Sequence, residues 1–298
     1  MRFRVLAGGL MVMIAACSSP TSANPPPPAT TATTSSTSST SSVGTTAAAS
    51  TTTTPAHLIG VGLVAGLPVE VYGPSTRGDG RVVLMVHGGG WYGGEPASMA
   101  ALADYLASQG LVVFNATYRT ASGGYPESFD DVACDIRYAL AAAADYTTRT
   151  DPLAIVAHSA GAHLASVVAM APDLFGQECS DEAAISVDRF VGLAGPYDPT
   201  LYSLVLASYF GTRLEDDPTP WQAGSPYTYL TESAGRDLEV LLIHGDADEL
   251  VPLASSELLA STMQAAGYEV TLEVVPGATH ADVRDPMLVG ETITDFLK

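Results

Sequence analysis

Ser159 stands between small residues in the run Ala157-His158-Ser159-Ala160-Gly161. The apolar residues before it (Leu153, Ile155, Val156) read as a buried strand, and the small and apolar residues from Ala162 to Met170 read as a helix. A serine caught in so sharp a strand-to-helix turn stands clear of the backbone, where its oxygen can attack an electrophilic carbon. The usual pattern is G-x-S-x-G, so Ala157 adds one methyl group to a turn that requires close packing. Taken alone, the run also fits a plain helix N-cap. Nucleophilic catalysis further requires a base, an acid to orient that base, and donors for a developing oxyanion.

Residues of each kind are present. His87-Gly88-Gly89-Gly90-Trp91 follows the apolar run at 82–86, and three consecutive glycines leave N–H groups bare and allow backbone angles closed to other residues. Its alternative reading is a flexible turn. Leu241-Leu242-Ile243-His244-Gly245-Asp246-Ala247-Asp248 is an apolar run leading into two carboxylates, either of which could orient a histidine. Asp246 still belongs to the strand end and Asp248 stands past the turn, which favours Asp248. Val274-Val275-Pro276-Gly277-Ala278-Thr279-His280 places a histidine in a loop after the last strand. Among the six histidines, His280 alone has the position expected of the general base. His158 and His163 flank Ser159 and are expected to point away from it or to lie along its helix.

The elements that must hold these residues alternate. Residues 58–73 read as a leading antiparallel hairpin; strands are expected at 82–86, 111–118, 190–193, 240–243 and 270–275, besides the one before Ser159. Helices are expected at 96–109, 126–146 and 253–266, after Ser159, and from about 287. Unbroken hydrophobicity in the strands implies cover on both faces, and the alternation implies a mostly parallel sheet with helices on both sides. Residues 195–235 read as irregular.

The order Ser159, Asp248, His280 is one of several in which such a triad occurs. Together HGGGW, HSAG, HGDADELVP and GATH resemble the esterase and lipase branch of the α/β-hydrolase fold. They are most similar to hormone-sensitive-lipase-like carboxylesterases and to bifunctional feruloyl and acetyl-xylan esterases, over roughly residues 58–298. The resemblance implies Ser159 as nucleophile, His280 as base, Asp248 as its partner, and an oxyanion hole formed by the N–H groups of Gly89, Gly90 and Ala160. It also implies a short cap after the sixth strand, hydrolysis of short- to medium-chain esters, and no metal or organic cofactor. No H-E-x-x-H spacing or glycine-rich phosphate loop stands against that. Tyr197, Tyr202, Tyr209, Phe210, Trp221, Tyr227 and Tyr229 fall in the cap region, where they either line a substrate pocket or form a small satellite core. Two other readings remain: a prolyl-oligopeptidase-like peptidase, whose acid loop HGDADELVP also resembles, and a surface-displayed binding protein with a vestigial triad.

The ends of the chain bear on location. Arg2 and Arg4 precede an apolar run that closes in Ile14-Ala15-Ala16-Cys17, the pattern of an export signal at 1–17. The closing residues resemble the lipobox of bacterial lipoproteins, which implies lipidation at Cys17 and anchorage outside the cytoplasm; an ordinary cleaved signal is the alternative. Residues 18–57 are almost wholly Ser, Thr, Pro and Ala, a composition too poor in apolar surface to offset ordering entropy, and read as a disordered tether. The remainder, 58–298, reads as one domain, in a chain whose 47 % hydrophobic content is ample for a core. The net charge is −20, which disfavours nucleic-acid and anionic-lipid partners and leaves a small-molecule or polysaccharide-linked ester as the expected one.

Two cysteines remain beyond Cys17. On the helix at 126–146, Cys134 falls off the apolar stripe (Phe129, Val132, Ala133, Ile136, Leu140, Ala143), among Asp131, Asp135 and Tyr138. Cys179 lies in the polar run QECSDE. In an oxidising compartment a Cys134–Cys179 disulfide is expected, the alternative being two thiols that never meet.

Overall fold

The computed structural model describes residues 57–121, 124–231 and 237–298. Residues 1–17, read above as an export signal ending in Cys17, and all but the last residue of the stretch read as a tether lie outside the described residues.

The chain enters through β1 (Leu58–Val64) and β2 (Leu67–Tyr72), an antiparallel pair. The two-residue connection has positive φ at both Ala65 (50°) and Gly66 (84°), the twist that suits a tight hairpin. Then follow β3 (Val82–Val86), α1 (Ala100–Ser108), β4 (Val112–Ala116), α2 (Glu127–Tyr146), β5 (Leu153–His158), α3 (Ala160–Met170) and β6 (Val187–Leu193). The cap region carries two short helices, α4 (Ser203–Leu206) and α5 (Thr219–Ala223), before β7 (Glu239–Gly245), α6 (Ala254–Ala265), β8 (Glu269–Val275) and α7 (Pro286–Leu297). The eight strands form one sheet in the order β1-β2-β4-β3-β5-β6-β7-β8, parallel from β4 onward.

Every residue of β3, β4 and β5 is buried, as continuous apolar runs require when helices cover both faces. One face packs α2, α3 and α6 through residues such as Phe129, Leu164 and Met263. The other packs α1 and α7 through Leu102, Leu106, Val289 and Ile293. The helix expected at 96–109 begins as a 3-10 turn at Pro96–Met99 before α1.

Off the apolar stripe of α2, beside Cys134, Asp131 and Asp135 are themselves buried, at 2 % and 1 % exposed. Asp131 is buried because the Arg119 guanidinium and backbone N–H close over it, at 2.7 to 2.8 Å. Asp135 has no partner for either carboxyl oxygen among the described residues. The sulfurs of Cys134 and Cys179 stand 2.07 Å apart with Cα atoms at 5.3 Å, a bonded geometry. In the cap region Tyr197, Tyr209, Phe210 and Trp221 are buried in the main core, so these rings are packing groups.

Burial raises the Asp135 pKa well above the ordinary carboxylate value, with the Asp131 charge adding to it. The folded chain therefore binds this proton more tightly than the unfolded chain. The site does not oppose folding below the unfolded value of about 3.9, and stability falls as pH rises from there towards the folded pKa. Asp135→Asn is expected to raise the melting temperature at pH 7 by about 3 °C, the scale of about 1 kcal/mol in a domain of this size. The gain should shrink towards pH 4, and thermal denaturation at the two pH values checks it.

Candidate active site

The polar ends of the central parallel strands meet in one cleft. β3 and β5 are hydrogen-bonded neighbours, so the loop that leaves β3 at His87 passes directly beside the turn that leaves β5 at Ser159. Ser159 occupies a backbone conformation of φ 53° and ψ −125°, the strained geometry of a nucleophile elbow. Its N–H donates to Leu193 O at 2.8 Å, and its carbonyl accepts from His163 N at 3.1 Å, which hold the turn from both sides.

Close approach explains the small residues. A Cβ at Gly161 would stand 2.2 Å from His87 O, and one at Gly88 would stand 2.9 Å from the Ser159 Cβ. The methyl group of Ala157 is accommodated: the residue is fully buried in β5, in register with Val86 and Gly192.

Ser159 Oγ donates to His280 Nε2 at 2.9 Å, and His280 Nδ1 donates to Asp248 Oδ2 at 2.7 Å. Asp248 Oδ1 accepts the N–H groups of Leu250 and Val251, both at 2.9 Å. His244 at the end of β7 lies 3.2 Å from Asp248 Oδ2 through Nε2, which also donates to Val251 O. Burial by itself would raise the Asp248 pKa, but the Val251 N–H, the His280 ring and the Leu250 N–H outweigh it and hold the carboxylate below its usual range. Asp246, the alternative carboxylate, is exposed and accepts Gly277 N–H at 2.6 Å, away from the His280 ring.

His280 arrives from a strand that is not adjacent to β5. The loop after β8 turns back over β7, where Ala247 N donates to Ala278 O and a Cβ at Gly245 would stand 2.0 Å from the same oxygen. His158 completes the anchorage, donating from Nε2 to His280 O at 2.9 Å. Its ring lies 4.7 Å from the His280 ring and lines the cleft, which differs from the expectation that it points away. Burial lowers the His158 pKa to about 3, so the ring is neutral and serves as a donor.

On the opposite side, Gly89 and Gly90 have φ of 147° and 60°, and neither N–H has an acceptor among the described residues. Ala160 is the first residue of α3, where helix N–H groups are unpaired and the helix dipole is positive. A buried relay fixes this loop. Trp91 Nε1 donates to His163 Nδ1 at 3.1 Å, and His163 Nε2 donates to Gly224 O at 2.7 Å. Desolvation lowers the His163 pKa to about 4, keeping the ring in the neutral form the relay needs. The HGGGW and HSAGAH runs contain Trp91 and His163, but only their contact across 72 residues gives the pairing a role.

The cleft encloses about 550 Å³. Gly88, Gly89, Gly90, Trp91, Ser159, Tyr202, Leu250 and His280 line it, together with Glu95, Ser98 and Arg284, which motif reading did not single out. Tyr202 alone of the seven cap aromatics is among these residues. Such an arrangement can carry a proton from a hydroxyl to an imidazole while backbone donors face the same space.

A mostly parallel eight-stranded sheet with helices on both faces, and a serine elbow after β5, define an α/β-hydrolase fold. The chain belongs to the BD-FAE family, whose model matches residues 69–263. The matched region includes Ser159 and Asp248 and stops before His280. Esterase LipQ of Mycobacterium tuberculosis is 29 % identical over 237 residues, 72 % of this chain and 54 % of LipQ. An isoprenylcysteine alpha-carbonyl methylesterase of Arabidopsis thaliana is 26 % identical over 244 residues, 75 % of this chain and 56 % of that protein. This chain thus spans about half the length of the curated relatives it matches. Among solved structures, the propionate-bound esterase of Thermogutta terrifontis superposes with a TM-score of 0.64 at 25 % identity, covering 78 % of this chain and 88 % of that one.

Proposed function

We propose that this chain is a serine esterase acting on short- to medium-chain carboxylic esters. The observation that carries the reading is the hydrogen-bonded sequence Ser159, His280, Asp248, at 2.9 and 2.7 Å, opening onto the same cleft as the Gly88–Gly90 loop. His280 takes the Ser159 proton as Oγ attacks the ester carbonyl carbon. The carbonyl oxygen, now negative, accepts from the N–H groups of Gly89, Gly90 and Ala160. Collapse expels the alcohol, which receives the proton from His280, and leaves an acyl-serine. Water, deprotonated by the same histidine, then releases the acid. These steps call on no metal or organic cofactor.

The size of the cleft and the apolar walls formed by Trp91, Tyr202 and Leu250 suit a small acyl group, and the propionate bound by the Thermogutta relative supports that scale. A fluorophosphonate probe followed by a panel of p-nitrophenyl esters and peptide anilides tests the reading. Covalent labelling at Ser159 with turnover of the shorter esters is expected; turnover of anilides but not esters would favour the peptidase alternative.

Export as a lipoprotein is part of the proposal, resting on Arg2, Arg4 and the Ile14-Ala15-Ala16-Cys17 run. The tether at 18–57 would then let the domain reach small or polysaccharide-linked esters from the cell surface. Cys17→Ala is expected to shift the protein out of the detergent phase or to leave its precursor uncleaved; unchanged detergent partition would overturn the anchor.

A further inference from the structure

Arg284 is the one arginine or lysine among the residues lining the cleft, and among the described residues it makes no ion pair with a carboxylate. It ends the 3-10 turn Asp282–Arg284, four residues beyond His280, and the fully buried Val283 beside it pins that turn to the core. The guanidinium donates from Nε to Ala281 O and from Nη1 to Ser98 O, both at 3.3 Å. It therefore bridges the His280 loop and the turn at Pro96–Met99 across one side of the cleft mouth. Both acceptors are neutral carbonyls, so the positive charge and the remaining N–H groups stay available.

Most of the other described arginines find carboxylates, as Arg81, Arg119, Arg149, Arg189 and Arg213 do, whereas Arg77 and Arg137, which lie outside the cleft, donate to the backbone carbonyls of Thr147 and Ala183. The acids nearest Arg284 in sequence are engaged otherwise: Asp282 accepts from Thr279, and Asp285 accepts the N–H of Met287 at the start of α7. Glu95, the one other charged residue of the lining that is not a histidine, makes no ion pair with it among the described residues. The net charge of −20 does not cancel a contact made inside the cleft, because charges dispersed over the surface are screened beyond about 8 Å at physiological ionic strength.

Building on the esterase reading, we propose that Arg284 is a specificity-determining residue that selects esters carrying a carboxylate on the part of the substrate lying between His280 and the Pro96–Met99 turn. A planar guanidinium presents paired N–H groups that match a carboxylate, and a tethered side chain loses little freedom in binding one.

Two matched pairs of esters test this, one with the charge on the alcohol (4-carboxyphenyl butyrate against phenyl butyrate), the other on the acyl group (monomethyl adipate against methyl hexanoate). The wild-type chain is expected to favour the anionic member of at least one pair in kcat/KM. Arg284→Gln, which keeps a donor for Ser98 O, should lower that anionic-to-neutral ratio about tenfold, the scale of one charge-assisted hydrogen bond at a half-exposed site, mainly through KM. Arg284→Lys should retain part of it. A wild-type chain that turns over the neutral esters with no anionic preference, or a ratio unmoved by Arg284→Gln, overturns the assignment and leaves the esterase reading standing. Failure of all four esters together with no fluorophosphonate labelling of Ser159 would instead overturn the reading beneath it.

Discussion

Ser159→Ala is expected to lower ester turnover about a million-fold, the scale on which loss of the serine acts in other triads, where the three residues work as a unit. The bond it removes is the one that would form the acyl intermediate, so no increase in substrate concentration should restore the rate. The fold should survive. Ser159 is held at φ 53° by backbone hydrogen bonds to Leu193 O and from His163 N, and alanine can make both. Its side chain contributes a single hydrogen bond, to His280. Steady-state rates with a p-nitrophenyl ester and a thermal melt of the same preparation check both halves of the expectation. A variant that melts like the parent yet retains more than a few per cent of its activity would mean that another group attacks the ester.

Asp248→Asn should cost about 10⁴-fold in turnover, and here the surroundings of the carboxylate dictate the outcome. Oδ1 of Asp248 accepts two backbone N–H groups, from Leu250 and Val251, so the asparagine carbonyl oxygen must remain at that position. Its NH₂ group then faces His280 Nδ1. Two donors cannot share that contact, so His280 is driven to the tautomer with hydrogen on Nε2 and can no longer accept the Ser159 proton. The same NH₂ also meets His244 Nε2, which donates to Val251 O and lies 3.2 Å from the carboxylate in the parent. Some loss of stability should therefore accompany the loss of rate. Asp246→Asn is the contrast: its single contact accepts Gly277 N–H at the surface, which an asparagine oxygen can also do, and its effect on turnover should stay within about threefold. If Asp246→Asn proves the damaging change, the acid role belongs to that residue.

Much of this molecule is legible in the one-dimensional chain because the relevant physics is local. Strands covered on both faces must be continuously apolar, and the runs at Val82–Val86 and Leu153–His158 are. A loop that approaches another backbone to within 3 Å must dispense with Cβ atoms, and the glycines at 88 and 161 stand where a Cβ would clash. The residue types after β3, β5, β7 and β8, in that order, therefore point to the α/β-hydrolase fold and to Ser159, Asp248 and His280. Tertiary structure decided whatever depends on which strands become neighbours. His280 leaves β8, three strand spacings or about 14 Å from β5, and reaches Ser159 because its loop folds back over Gly245 and is tied to His158. Asp248 was favoured over Asp246 by its place past the turn, but only the fold shows its Oδ2 on the His280 ring and its Oδ1 held by two backbone N–H groups. Asp131 is buried because Arg119, twelve residues earlier and outside the helix, closes over it, and a helical wheel contains no such partner. The cap tyrosines are indistinguishable by type, yet Tyr197 and Tyr209 are buried in the core while Tyr202, packed against that core only in part, lines the cleft. Arg284 carries no motif at all, and its significance arises where a loop after the last strand meets a turn after the third.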